Sequence, residues 1–194
     1  MTYDNYDWIT RHLAVGGLVD TSEVPFFDAI LSLETYSPLL VRGLAQSPDV
    51  EYRWYSIMDG VSAEPHEAIV QRFNAAVDQV ADWIRAGRRV LVHCYLGSSR
   101  AGTTATWYLV RHHALSWEES VTWVRERRRV TDPNIRFEIP LRLAAGEVLD
   151  ESWLQQRLTE YCLARHDRSE LAQKMREILA DLERQGTLAR VSAA

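Results

Sequence analysis

The passage VLVHCYLGSSRAGTT, inside a chain of 194 residues, constrains the fold more than any other. RVLVHC (89–94) is a short apolar run of strand character. It enters a Gly-containing loop directly, and residues 101–113 beyond the loop have helical spacing. Strand, tight loop and helix in that order predict an α/β domain with a central sheet. The preceding segments fit this order. WITRHLAVGG (8–17) predicts a strand closed by a Gly-Gly turn, and AILSLE (29–34) and EYRWYSI (51–57) predict two more. Ile69, Phe73, Ala76, Val77, Val80 and Ile84 recur at helical spacing through 66–85, with Pro65 at the first turn and Gly87 as the stop. A second helix is expected over 117–129, capped by Ser116, then a TDPN turn (131–134) and a helical stretch containing Pro140. SPLLVRGLAQSPD (37–49) and MDGVSAEP (58–65) are expected as loops.

The loop after RVLVHC also carries chemistry. Cys94 and Arg100 are separated by five residues that include Gly97. A loop of this length between strand and helix can curl so that successive backbone N–H groups converge on an anion. The helix start adds its own free N–H groups and its positive dipole end. Arg100 can give two parallel hydrogen bonds to a tetrahedral oxyanion. Such a field favours the charged form of a thiol, and a thiolate facing a bound phosphate is a nucleophile for in-line phosphoryl transfer. The alternative, a small core cysteine beside a solvated arginine, leaves the combination of His-Cys, Gly loop, Arg and helix unexplained.

HCYLGSSR (93–100) matches the His-Cys, five residues, Arg signature of the protein tyrosine phosphatase superfamily. The chain resembles its compact dual-specificity members over roughly residues 8–147, including the Arg-rich RERRRVTDPN segment. The resemblance implies a mostly parallel sheet flanked by helices, with Cys94 as nucleophile and Arg100 as phosphate clamp. Tyr95, Leu96, Gly97, Ser98, Ser99 and Arg100 would bind substrate through their backbone, and His93 would help hold the loop. It implies that Arg128 or Arg129 supports the loop. No metal and no organic cofactor is needed. Ala101 departs from the pattern, because the family usually has a hydroxyl there that helps the sulfur leave.

Phosphoryl transfer from a protein hydroxyl needs a proton for the leaving oxygen. The resemblance places that acid on an upstream loop, where Asp59 is the candidate, Gly60 a hinge and Glu64 the alternative. Arg125, Arg127, Arg128 and Arg129 are expected on a helix, with Arg125 and Arg129 on one face. Trp54, Tyr55 and Tyr95 are candidate pocket walls.

Composition narrows the partners. The net charge of −5 argues against a general nucleic-acid or anionic-membrane binder. Two cysteines cannot make a disulfide framework, and the acidic start MTYDNYDWIT lacks a signal-peptide pattern, so the cytoplasm is the expected compartment. The expected substrate is a phosphorylated protein or peptide, most readily phosphotyrosine. A phosphoinositide or RNA 5′-phosphate is disfavoured because YLGSS contains no Lys. A phosphate-binding adaptor with little turnover is the reading that Ala101 suggests. Residues 1–150 are expected as the catalytic domain and 151–194 as a helical extension. Trp153, Leu154, Leu158, Tyr161 and Cys162 form one apolar stripe of that extension, and Leu171, Met175, Ile178, Leu179 and Leu182 another. Packing on the same chain is the default use of these stripes, and a homodimer contact is the alternative.

Overall fold

The computed structural model describes residues 5–18, 24–35, 49–59, 64–165, 168–184 and 186. Most of the expected loop 37–49, the hinge Gly60 and the chain beyond Gly186 lie outside the described residues. Within them the chain forms two compact units, Met1–Ser62 with Gln71–Pro133, and Ala63–Val70 with Asn134–Ala194.

The first unit is built on a sheet of strands β1 (Tyr6–Trp8), β2 (Leu13–Gly16), β3 (Ala29–Ser32), β4 (Glu51–Trp54) and β5 (Val90–His93), in the order β1-β2-β5-β3-β4. β1 is antiparallel to β2, and every other pair is parallel. β2, β3 and β5 are buried at every residue, as expected of parallel strands covered on both faces. The outer strands β1 and β4 are only partly covered.

The stretch 8–17 is a hairpin rather than one strand. Thr10 Oγ1 accepts from the amides of His12 (3.2 Å) and Leu13 (3.0 Å), and the amides of Ile9 and Thr10 donate back to the Leu13 carbonyl. A threonine hydroxyl that satisfies local backbone in this way competes with a sheet ladder, and the chain turns. β4 is also shorter than expected, and beyond it the Ile57 carbonyl is taken by Arg100 at 3.2 Å.

Helix α1 (His66–Arg85) has the expected span, and Gly87 beyond it has φ +78°. It buries Ile69, Phe73, Ala76, Val77 and Val80 of the helical stripe read from sequence, and leaves Ile84 half-buried. Helix α2 (Arg100–His113) is buried at every residue from Arg100 to Leu109 and ends at Ala114 in the left-handed region. Ser116 then starts α3 (Trp117–Arg127) with a reciprocal cap, its hydroxyl accepting from the Glu119 amide while Glu119 accepts from the Ser116 amide. α3 stops before Arg128, which has extended backbone at φ −126°. Arg128 and Arg129 therefore do not continue the helical face expected of them.

The second unit contains α4 (Ile135–Ala144), α5 (Glu151–Arg165) and α6 (Arg168–Arg184). Asn134 caps α4 by accepting from the Arg136 amide at 3.0 Å. Pro140 lies inside α4, where it removes one backbone donor. Ile135, Ile139 and Leu149 share one core with Leu154, Leu158, Tyr161, Cys162, Ile178 and Leu182, and Trp153, Met175 and Leu179 pack against it partly buried, so both apolar stripes pack within this unit except Leu171, whose side chain lies outside the described ones. Charges are paired beneath the surface. Glu138 accepts from Arg157 Nε at 2.8 Å, Arg142 pairs with Glu147 at 2.7 Å, and Arg136 pairs with Asp181. None of the described helices is long and apolar enough to cross a membrane.

Cutting the chain after Asp150 removes α5 and α6 and uncovers Ile135, Ile139 and Leu149. Each side chain stripped of cover forfeits about 1.5–3 kcal/mol. The truncated protein should melt at lower temperature and scatter light from self-association. An unchanged melting curve and a monodisperse monomer would contradict the shared core.

Candidate active site

Four parallel strands bring their carboxyl ends to one edge of the sheet, the place where open α/β sheets take ligands. Gly16 and Gly17 end β2, Leu33 to Thr35 follow β3, Ile57 to Asp59 follow β4, and Cys94 to Arg100 follow β5.

The Cys94–Arg100 loop is held by its carbonyls. Tyr95 O accepts from the Leu18 amide (3.1 Å), and Ser98 O from the Asp132 amide (3.2 Å). Arg128 takes the two between them, with Nε on Gly97 O at 2.8 Å and Nη2 on Leu96 O at 3.0 Å. Its Nη1 is anchored on Asp7 at 2.8 Å. In a trans peptide the C=O and the next N–H point in opposite directions. Four carbonyls fixed from outside therefore turn the amides of Leu96, Gly97, Ser98 and Ser99 inward. The Gly97 amide accordingly donates to Cys94 Sγ at 3.2 Å. Gly97 has φ +69°, and a Cβ there would lie 2.4 Å from the Gly16 carbonyl carbon and 2.5 Å from Arg128 Nη2. Only glycine allows both the conformation and the approach.

Cys94 is buried, as is Arg100 at the start of α2. Arg100 Nη1 donates to the carbonyls of Leu33 (3.0 Å) and Ile57 (3.2 Å), which fixes the guanidinium against the ends of β3 and β4. Its other edge faces two carboxylates. Nη2 is 3.4 Å from Glu34 Oε1, and Nε is 3.6 Å from Asp59 Oδ2. Nε makes no hydrogen bond among the described residues. A buried guanidinium edge with an unsatisfied N–H, beside four inward amides, suits a tetrahedral oxyanion.

Asp59 thus lies at the same loop as Cys94 and Arg100, and its Oδ1 accepts from Ser99 Oγ at 2.9 Å. Glu64, the alternative acid, belongs to the second unit. Burial pushes the His93 imidazole down to about 4, and the charge of Arg100 adds to that against an upward pull from the Cys94 backbone. His93 is therefore neutral near pH 7, which suits a structural part. Tyr95 and Leu96 are exposed on the loop's outer side. Trp54 is exposed too, with its indole N–H on the Glu34 carbonyl at 2.7 Å.

Sequence reasoning missed Glu34 and Asp7. Burial raises the Glu34 carboxyl above its usual range, Asp59 adds to this, and Arg100 opposes it. A carboxylate two residues after an apolar strand is a visible oddity, but only the parallel pairing of β3 with β5 places it beside Arg100. Asp7 lies in a three-residue edge strand with nothing in its surroundings to mark it.

Residues 20–145 match the family model described as the dual specificity phosphatase catalytic domain. Among curated proteins, the tyrosine-protein phosphatase yvh1 of Schizosaccharomyces pombe is 31% identical over 136 residues, 70% of this chain and 38% of its own length. The human dual specificity protein phosphatase 1 is 38% identical over 65 residues, 34% of this chain and 18% of its own length. The chain thus spans less than two fifths of either relative. Among solved structures, Tk-PTP in its active form superposes with a TM-score of 0.62 at 21% identity, covering 76% of this chain and all of that one. Human DUSP28 superposes with a TM-score of 0.62 at 20% identity, covering 73% of this chain and 93% of that one.

The buried imidazole has a consequence for stability. In the unfolded chain His93 takes up a proton near pH 6.5, and in the folded chain only near 4. Between those values the unfolded state binds more protons, so stability falls as pH drops through the window. The full loss is about 3 kcal/mol. Urea unfolding from pH 7 to pH 4 should show it, and His93→Gln should lack this part of the slope. Equal slopes in the two proteins would refute the assignment.

Proposed function

The chain belongs to the dual specificity phosphatase family, and from that premise we propose that it is a cysteine-dependent phosphomonoesterase. Its substrate is phosphotyrosine in a protein or peptide, with phosphoserine and phosphothreonine as further substrates, and its compartment is the cytoplasm. The observation that carries the reading is the convergence of Cys94 Sγ, the unsatisfied Nε of Arg100 and the Asp59 carboxylate at one inward-turned loop. Phosphate would sit on the loop amides and the Arg100 edge, with the thiolate in line behind phosphorus.

In the first step the sulfur lone pair forms the S–P bond while the P–O bond to the leaving oxygen breaks. That oxygen keeps the electron pair and takes a proton from Asp59. In the second step water attacks phosphorus, Asp59 takes its proton, and the S–P bond breaks to return the thiolate. The inward amides stabilise the equatorial oxygens as charge builds on them.

Two substitutions test the roles. Cys94→Ser should retain phosphate affinity and lose nearly all hydrolysis, and normal turnover by it would end the proposal. Asp59→Asn should slow phosphotyrosine hydrolysis by about 10²–10⁴-fold, with a smaller loss on esters of acidic phenols. The same pattern in Glu64→Gln, and not in Asp59→Asn, would move the acid to Glu64.

The Gly97 amide donates to Cys94 Sγ, and no hydroxyl among the described residues does so. Ala101 stands where a hydroxyl would otherwise assist the departing thiolate, and Thr103 is fully buried with no partner for its Oγ1 among the described residues. The second step should therefore be slow. One lost hydrogen bond to a charged group corresponds to about 10- to 100-fold in rate. Rapid-quench kinetics should show a burst of leaving group followed by a slower steady state, and Ala101→Ser should shrink the burst and raise kcat. A linear time course unchanged by Ala101→Ser would place the slow step elsewhere.

A further inference from the structure

Ser99 is the first residue before α2, a position at which a serine hydroxyl ordinarily accepts from the amides of its own helix. Here it makes no such bond, and its backbone has αR geometry rather than the extended form of a capping serine. The hydroxyl instead donates to Asp59 Oδ1 at 2.9 Å, across 40 residues of sequence. A helix start has been left uncapped by the side chain best suited to cap it, and that side chain holds a carboxylate on another loop.

We propose that Ser99 is a positioning residue for the general acid, fixing which oxygen of Asp59 exchanges the proton. This rests on the phosphatase reading above. Oδ1 is occupied as an acceptor of the Ser99 O–H. Oδ2 is turned toward Arg100 Nε, 3.6 Å away, where the bound phosphoryl group and its leaving oxygen belong. Oδ2 therefore carries the proton given to the leaving oxygen as the P–O bond breaks, and Oδ2 takes the proton of the attacking water as the S–P bond breaks. The arrangement has a second effect. With the Ser99 hydroxyl directed to Asp59, the first amides of α2 stay free for phosphate. One residue thereby lets the phosphate loop orient the acid loop as well.

The test uses a series of aryl phosphates with leaving groups of graded acidity, together with phosphotyrosine. Ser99→Ala should lower kcat/KM for phosphotyrosine by about 10- to 100-fold, the loss expected for one hydrogen bond to a charged group. The loss should shrink steadily as the leaving phenol becomes more acidic, and Ser99→Thr, which keeps a hydroxyl, should restore the rate. In an Asp59→Asn background the same Ser99→Ala change should cost little more. Vanadate affinity, measured by protection against thermal unfolding, reports an intact loop in every variant. A Ser99→Ala loss equal for all leaving groups, or one that multiplies with the loss of Asp59→Asn, would overturn the positioning role and leave the phosphatase reading standing. No turnover by the unaltered chain on any ester would overturn both.

Discussion

Arg100 is the interaction on which the site depends. Its guanidinium is buried at the start of α2, and one nitrogen binds the backbone carbonyls that follow β3 and β4. A buried cation is costly unless its surroundings answer it. Here the backbone of two strands answers one edge and the carboxylates of Glu34 and Asp59 stand opposite the other. The strand ends thus fix the rotation of the guanidinium before any anion arrives. The protein's own carboxylates hold part of the charge that a phosphate would take over.

A second arginine does complementary work from outside. Arg128 clasps two carbonyls of the loop and is itself anchored on Asp7 in the edge strand β1. Its extended backbone, just past the end of α3, brings the side chain to the loop. Arg100 thus orients the anion-facing side, and Arg128 sets the opposite face by holding the carbonyls out. With the carbonyls held out, the inward amides follow from peptide planarity.

Much of this was legible in the sequence. The strand before Cys94, the helix after Arg100 and α1 all follow from apolar runs and helical spacing, because burial enforces those patterns locally. The identity of Cys94 and Arg100 was legible for the same reason, since both lie within one short loop. The hairpin at 8–17 was not, because a single hydroxyl on Thr10 redirected a segment whose composition suits a strand. The end of α3 was hidden as well. Four arginines within five positions read as one helical run, whereas Arg128 leaves it and binds the carbonyls of Leu96 and Gly97 and the Asp7 carboxylate. Glu34 and Asp7 depend on strand pairing over long sequence distances, which residue types and spacing do not encode.

The contact between Gly97 and Gly16 limits how such a chain can vary. Two backbones meet there, so a clash between a side chain placed at Gly97 and the Gly16 carbonyl cannot be relieved by a smaller residue opposite, glycine being already the smallest. A core leucine that grows can be accommodated by a neighbour that shrinks, and a surface charge that moves can find another partner. This junction has no such compensating path. Any drift at the loop would have to be matched by a displacement of β2 itself, and β2 pairs with both β1 and β5. This crossing of two glycines is therefore held fixed, as a pivot must be when the parts around it are exchanged.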